Sequence, residues 1–166
     1  GFKNGTDGNV RIAIDAIRAT QASHMFLSPD KQGQMTIYQT QGTPDGHIIL
    51  RGGKQPNYTS EHIRMARQAL EEFQLTPRLV IDFSHGNCLK QHRRQLLVAD
   101  DVAQQLRDGE TAIAGVMIES FLQEGQQAVA AGKPLVYGQS ITDPCIGWED
   151  TETVLKLLAE AVSASH

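Results

Sequence analysis

Leu79-Val80-Ile81-Asp82-Phe83-Ser84-His85-Gly86-Asn87 changes character half-way along. The mostly apolar run 79–83 reads as a short buried strand. Ser84 to Asn87, just past its end, are polar or small and suited to lining a site. Three other places repeat the pattern. Lys3 ends a strand-like start, Arg51 follows His47-Ile48-Ile49-Leu50, and Glu119 follows the apolar run 112–118. Asp143 comes after the last of these strands.

Working outward, amphipathic helices separate the strands. Val10, Ala13, Ile14 and Ile17 recur at helical spacing and predict a helix over 9–22, with Thr6 or Asp7 as its cap. A second helix is expected from Thr59 or Ser60 to about 74, with Ile63, Ala66, Leu70 and Phe73 inward. A third is expected over 90–107, burying Leu96, Ala99, Ala103 and Leu106. A fourth over 148–163 would bury Leu155, Leu158, Ala159 and Val162. Residues 24–28 and 34–40 are strand-like and flank the turn-forming Pro29-Asp30-Lys31-Gln32-Gly33, so an inserted β-hairpin is expected over about 24–40. The stretch 121–142 reads as a long loop with a helical turn near 126–131.

Strands alternating with helices predict an α/β fold built from parallel βαβ units. The chain, 166 residues, is read as a single domain over 1–166. In both open-sheet and barrel α/β folds, ligands bind at the carboxyl ends of the strands. Lys3, Arg51, His85 and Glu119 all fall there.

Composition excludes some classes of function. A net charge of −4 gives no global attraction to nucleic acid or anionic membrane. No apolar stretch approaches the roughly 20 residues of a membrane span. Two cysteines, Cys88 and Cys145, form no disulfide framework and fit a cytoplasmic setting. The chain begins without Met, in the middle of what looks like a strand, and is read as a fragment.

His85, Glu119 and Asp143 offer one imidazole and two carboxylates, a donor set suited to Mn, Fe, Co or Zn. Each also has a plainer reading: a loop histidine bonded to backbone, a carboxylate in an ion pair, a turn aspartate before Pro144. Lys3 and Arg51 would add positive charge at the same rim and suit phosphate plus carboxylate. Their plainer reading is an ion pair to Glu119 or Asp143. Lys90, His92, Arg93 and Arg94 read as the solvated start of a helix.

Four motifs together carry a family resemblance. They are Gly1-Phe2-Lys3-Asn4-Gly5-Thr6-Asp7-Gly8, His47-Ile48-Ile49-Leu50-Arg51-Gly52-Gly53-Lys54 with Pro56-Asn57-Tyr58, Asp82-Phe83-Ser84-His85-Gly86-Asn87, and Ser140-Ile141-Thr142-Asp143-Pro144-Cys145-Ile146-Gly147-Trp148-Glu149-Asp150. The chain resembles, throughout and in order, the second half of class I 3-deoxy-D-arabino-heptulosonate 7-phosphate (DAHP) synthases. The resemblance implies strands 5 to 8 of a TIM (β/α)8 barrel with an inserted hairpin. It implies the condensation of phosphoenolpyruvate with erythrose 4-phosphate, the first step of the shikimate pathway. It also implies that Lys3 and Arg51 bind phosphoenolpyruvate, that His85, Glu119 and Asp143 ligate a divalent metal, and that Asp143 lies near erythrose 4-phosphate. The hairpin is most similar to that of tryptophan-sensitive members. Phe26, Ser28 and Tyr38 would then help bind the inhibitor.

The family's fourth metal ligand, a cysteine of the first barrel strand, has no counterpart here, and neither Cys88 nor Cys145 matches it. The isolated chain is therefore expected to be inactive, and to self-associate or pair with a missing amino-terminal half within a homo-oligomer. Two other readings stay open: a non-catalytic amino-acid-binding regulatory module, and another metal-dependent barrel aldolase of phosphorylated sugars.

Overall fold

The computed structural model describes residues 1–164. Four strands, β1 (Phe2–Lys3), β4 (Ile48–Leu50), β5 (Leu79–Asp82) and β6 (Ile113–Met117), form one sheet in the order β1-β4-β5-β6. All three pairings are parallel, with Phe2 opposite Ile48, Ile48 opposite Leu79, and Ile81 opposite Val116. Because the strands run the same way, Lys3, Arg51, Asp82 to His85 and Glu119 gather at one rim.

Helices α1 (Arg11–Gln21), α2 (Ser60–Glu71), α3 (Gln95–Arg107) and α4 (Trp148–Ala164) complete the α/β framework. The core joins Ile48, Leu50, Leu79 and Ile81 of the sheet to Ile14 and Ile17, Ile63 and Leu70, Val98 and Val102, and Val154 and Leu158 of the helices. Burying each such side chain contributes about 1.5–3 kcal/mol. Phe83, fully buried just past β5, anchors the turn into the site. No helix among the described residues is long and apolar enough to cross a membrane.

The hairpin pairs β2 (Met25–Pro29) antiparallel to β3 (Met35–Gln39). Phe26 lies opposite Tyr38, and their rings stack with centroids 5.8 Å apart. Ser28 is two residues from Phe26, so the period-2 alternation puts Phe26, Ser28 and Tyr38 on one face. Six large apolar side chains here, Met25, Phe26, Leu27, Met35, Ile37 and Tyr38, are exposed.

Several local expectations are corrected. Thr6 and Asp7 do not cap α1; Asn9 Oδ1 accepts the Arg11 N–H at 2.8 Å instead. The third helix does not begin at Lys90, because Leu89 and Lys90 sit in the left-handed region (φ 52° and 59°). A 3-10 turn over His92–Arg94 leads into α3, whose buried face runs through Gln95, Val98, Ala99, Val102 and Ala103, leaving Leu96 and Leu106 half-buried. In α4 the buried face is Thr151, Val154, Leu158 and Ala161. Leu155, Ala159 and Val162 are exposed. Apolar residues occur on more than one side of this helix, so periodicity alone found Leu158 but placed the rest of the buried stripe wrongly. Phe73 is half-buried beneath the guanidinium groups of Arg11 and Arg18.

The stretch 126–131 holds no helical turn. Instead β7 (Gln123–Gln126) pairs in parallel with β8 (Gln139–Ser140). The Gln127 side chain closes the loop between them, donating to the Val136 and Gln139 carbonyls and accepting the Val136 N–H. Gly125, at φ 85°, breaks any helix that would start there.

Candidate functional site

The rim of the sheet opens into a cleft of about 560 Å3. Arg51, Lys54 and Lys90 face it together with His85, Glu119 and Asp143. One ligand atom from each of His85, Glu119 and Asp143 lies within 4.8 Å of the others. An imidazole and two carboxylates this close form a set that a divalent first-row cation fits, and without one the carboxylates repel.

The positions of these groups follow from local structure. His85 has φ 54°, a left-handed conformation in the tight turn after β5 that turns its ring back over the rim. Its Nε2 faces Glu119 Oε1 at 3.5 Å. Its Nδ1 lies 2.9 Å from Asp82 Oδ2 and 2.7 Å from Ser84 Oγ. Asp82 is fully buried, and Lys3 Nζ donates to its Oδ2 at 3.0 Å. The Lys3 ion pair is thus with Asp82, not with Glu119 or Asp143. The Arg51 guanidinium has no ion pair among the described residues and stays available to the cleft.

Three buried asparagines hold the backbone beneath the site. Asn4 Oδ1 accepts the Arg51 N–H at 2.8 Å, Asn57 Oδ1 accepts the Gly52 N–H, and Asn87 Oδ1 accepts the Asn57 N–H. Asn87 also donates to the Leu50 and Asp82 carbonyls. Glu119 is held by Gln95, a fully buried residue of α3. Its amide accepts the Glu119 N–H at 2.9 Å and donates to the Glu119 carbonyl at 3.0 Å.

Electrostatics separate the two inner carboxyls. Burial alone would raise Asp82, but hydrogen bonds from Ser84 and Lys3 and the charges of His85 and Lys3 outweigh it and hold the group below the usual aspartate range. Burial raises Glu119; His85 pulls it down, while Asp143 and Asp82 push it further up. The stability contributions therefore have opposite signs. That of Asp82 is present above the ordinary aspartate value and is lost as pH falls through its lowered one. That of Glu119 is present below its ordinary value of 4.5 and is lost as pH rises through its raised one. In metal-free protein, Glu119→Gln should flatten the fall in stability as pH rises from 4.5 towards neutrality. Urea melts at stepped pH test this, and an unchanged slope would count against it.

The model of the DAHP synthetase I family matches residues 1–156. The chain belongs to the DAHP synthetase I family. It is 70% identical over 163 residues to the Trp-sensitive phospho-2-dehydro-3-deoxyheptonate aldolase of Enterobacter agglomerans, covering 98% of this chain and 47% of that protein. It is 68% identical over 162 residues to the Trp-sensitive protein of the same name from Escherichia coli K12, again covering 98% of this chain and 47% of the relative. The structure of phospho-2-dehydro-3-deoxyheptonate aldolase from Francisella tularensis SCHU S4 superposes with a TM-score of 0.94 at 42% identity, covering all of this chain and 48% of that one. The chain spans about half the length of the curated relatives it matches.

The stretch matched by the DAHP synthetase I family contains every strand end at the rim, and Asp143. Sequence reasoning singled out Lys3, Arg51, His85, Glu119 and Asp143, and all but Lys3 line the cleft; Lys3 pairs with Asp82, which contacts His85 from behind it. It missed Asp82, Gln95 and Lys90. An aspartate three residues before His85 at a strand end was a usable signal for the first. Gln95 gave none, since a glutamine opening a helix is ordinarily solvated. Lys90 was hidden by the helix expected to start there.

Proposed function

We propose that this chain provides strands 5 to 8 of a (β/α)8 barrel, with the hairpin inserted, as one domain of a DAHP synthase. The enzyme would condense phosphoenolpyruvate with erythrose 4-phosphate in the cytoplasm, a setting in keeping with two unpaired cysteines. The observation that carries this is the sharing of one cleft by Arg51 and the His85, Glu119 and Asp143 donors. A phosphorylated carboxylate and a polarised aldehyde need these two kinds of group side by side.

Arg51 and Lys3 hold the phosphoenolpyruvate anion and stabilise charge as it develops. His85, Glu119 and Asp143 would hold Mn, Fe, Co or Zn. Such a metal, when bound, supplies Lewis acidity toward the aldehyde oxygen. Asp143, the most exposed of the three, would lie near erythrose 4-phosphate. C3 of phosphoenolpyruvate attacks the aldehyde carbon, water adds at C2 and phosphate leaves. As a ligand, His85 would not be available for proton transfer.

The test is a condensation assay with phosphoenolpyruvate, erythrose 4-phosphate and Mn2+, on this chain mixed with a separately produced amino-terminal half of a relative. Activity in the mixture and in neither piece alone is expected. Its absence from a folded, associated mixture would overturn the proposal.

Phe26, Ser28 and Tyr38 form the proposed inhibitor face, and tryptophan is the proposed inhibitor. The stacked rings offer an indole a flat apolar surface. The exposed apolar side chains around them suit contact with another subunit of a homo-oligomer. Ser28→Ala in the assembled enzyme should raise the tryptophan concentration for half-inhibition by about 5–10-fold, the loss of one hydrogen bond. Unchanged inhibition would remove Ser28 from the site.

A further inference from the structure

Asp82 reaches both the lysine and the histidine of the site, yet it lines no part of the cleft. The hydrogen-bond arrangement around it decides the state of the His85 ring. The Ser84 hydroxyl donates to Asp82 Oδ1, so its single hydrogen is used. Toward His85 Nδ1 it presents only lone pairs, at 2.7 Å. Asp82 Oδ2, at 2.9 Å, also only accepts. A bare Nδ1 would therefore face two acceptors across a buried, low-dielectric gap, and a protonated one satisfies both. The other nitrogen, Nε2, has its nearest carboxylate oxygen at 3.5 Å, beyond good hydrogen-bond length.

We propose that Asp82 is a positioning residue that holds a proton on His85 Nδ1, so that Nε2 is the nitrogen left to face Glu119 and Asp143 as a ligand. This deepens the metal reading above and rests on it only for what the bare nitrogen is for. Lys3 sets the strength of this hold. Its ammonium donates to the same oxygen, Oδ2, at 3.0 Å, and fixes the buried carboxyl in place. An ionised carboxylate is the acceptor that makes a ligating imidazole more basic and holds it in orientation.

The first measurement is long-range 1H–15N NMR of His85 in the metal-free 166-residue chain, at a pH where the ring is neutral. The proton is expected on Nδ1; an Nε2–H tautomer would overturn the proposal without any variant being made. The second is a Mn2+ titration of wild type and Asp82→Asn, with circular dichroism to verify folding. A loss of about 10–100-fold in Mn2+ affinity is expected for the variant, the range for an outer partner of a ligating histidine. Wild-type affinity in a folded Asp82→Asn would overturn the proposal. If that variant does not fold, the tautomer decides. A wild-type chain that shows the Nδ1–H tautomer but binds no Mn2+ would leave the positioning role standing and remove the metal reading instead.

Discussion

His85→Ala is expected to abolish Mn2+ binding and to lower condensation activity, in the chain combined with an amino-terminal half, by on the order of a thousandfold or more. A Lewis acid contributes several kcal/mol to stabilising the charge that develops on a carbonyl oxygen, and each 1.36 kcal/mol is about tenfold in rate. Removing the imidazole leaves Glu119 and Asp143, two carboxylates that repel each other without a nitrogen donor between them. The fold should survive, since the His85 side chain is partly exposed and its neighbours Asp82 and Ser84 keep their mutual hydrogen bonds. Isothermal titration with Mn2+ and the coupled assay measure the two effects. Near-normal activity at saturating Mn2+ would remove His85 from the metal centre.

Gly52→Ala should be the most damaging small change to the framework of the site. Gly52 has φ +72°, and an added Cβ would stand 2.5 Å from the Gly86 carbonyl carbon and 2.6 Å from the Asn87 nitrogen. Both are backbone atoms, in the loop that carries His85, and cannot swing aside. The left-handed conformation costs about 1–2 kcal/mol for a residue with a side chain, and overpacking typically adds 1–3, so a loss of roughly 2–5 kcal/mol is expected. The clash would also part Arg51 from His85, because the Gly86 N–H donates to the Arg51 carbonyl at 3.0 Å. Gly109→Ala is the control. Its φ is +90° with nothing within 4 Å of the added Cβ, so only the backbone term applies. Equal urea midpoints for the two variants would refute the steric account.

By itself, the sequence determined the α/β class, the parallel strand–helix order and the hairpin. These follow from local periodicity: alternation in 34–40, helical spacing in 10–17, and apolar runs such as 79–83 that end in polar residues. It also located Lys3, Arg51, His85 and Glu119, because parallel strands must bring their carboxyl ends to one rim, and it added Asp143 as a second carboxylate of the donor set. Only the tertiary structure decided what those groups face. Lys3 pairs with Asp82, which sits across two strand pairings and is buried at a depth no spacing rule encodes. Gln95 reaches the Glu119 backbone from another element, and Lys90 joins the cleft through a left-handed turn that helical pattern-reading runs straight through. The same holds for α4, where apolar residues on several sides left the choice of buried stripe to the fit against α3. Periodicity reports which face of an element is apolar. Partner, depth and charge state depend on the relative placement of elements distant in the chain, and that placement exists only once the core has packed.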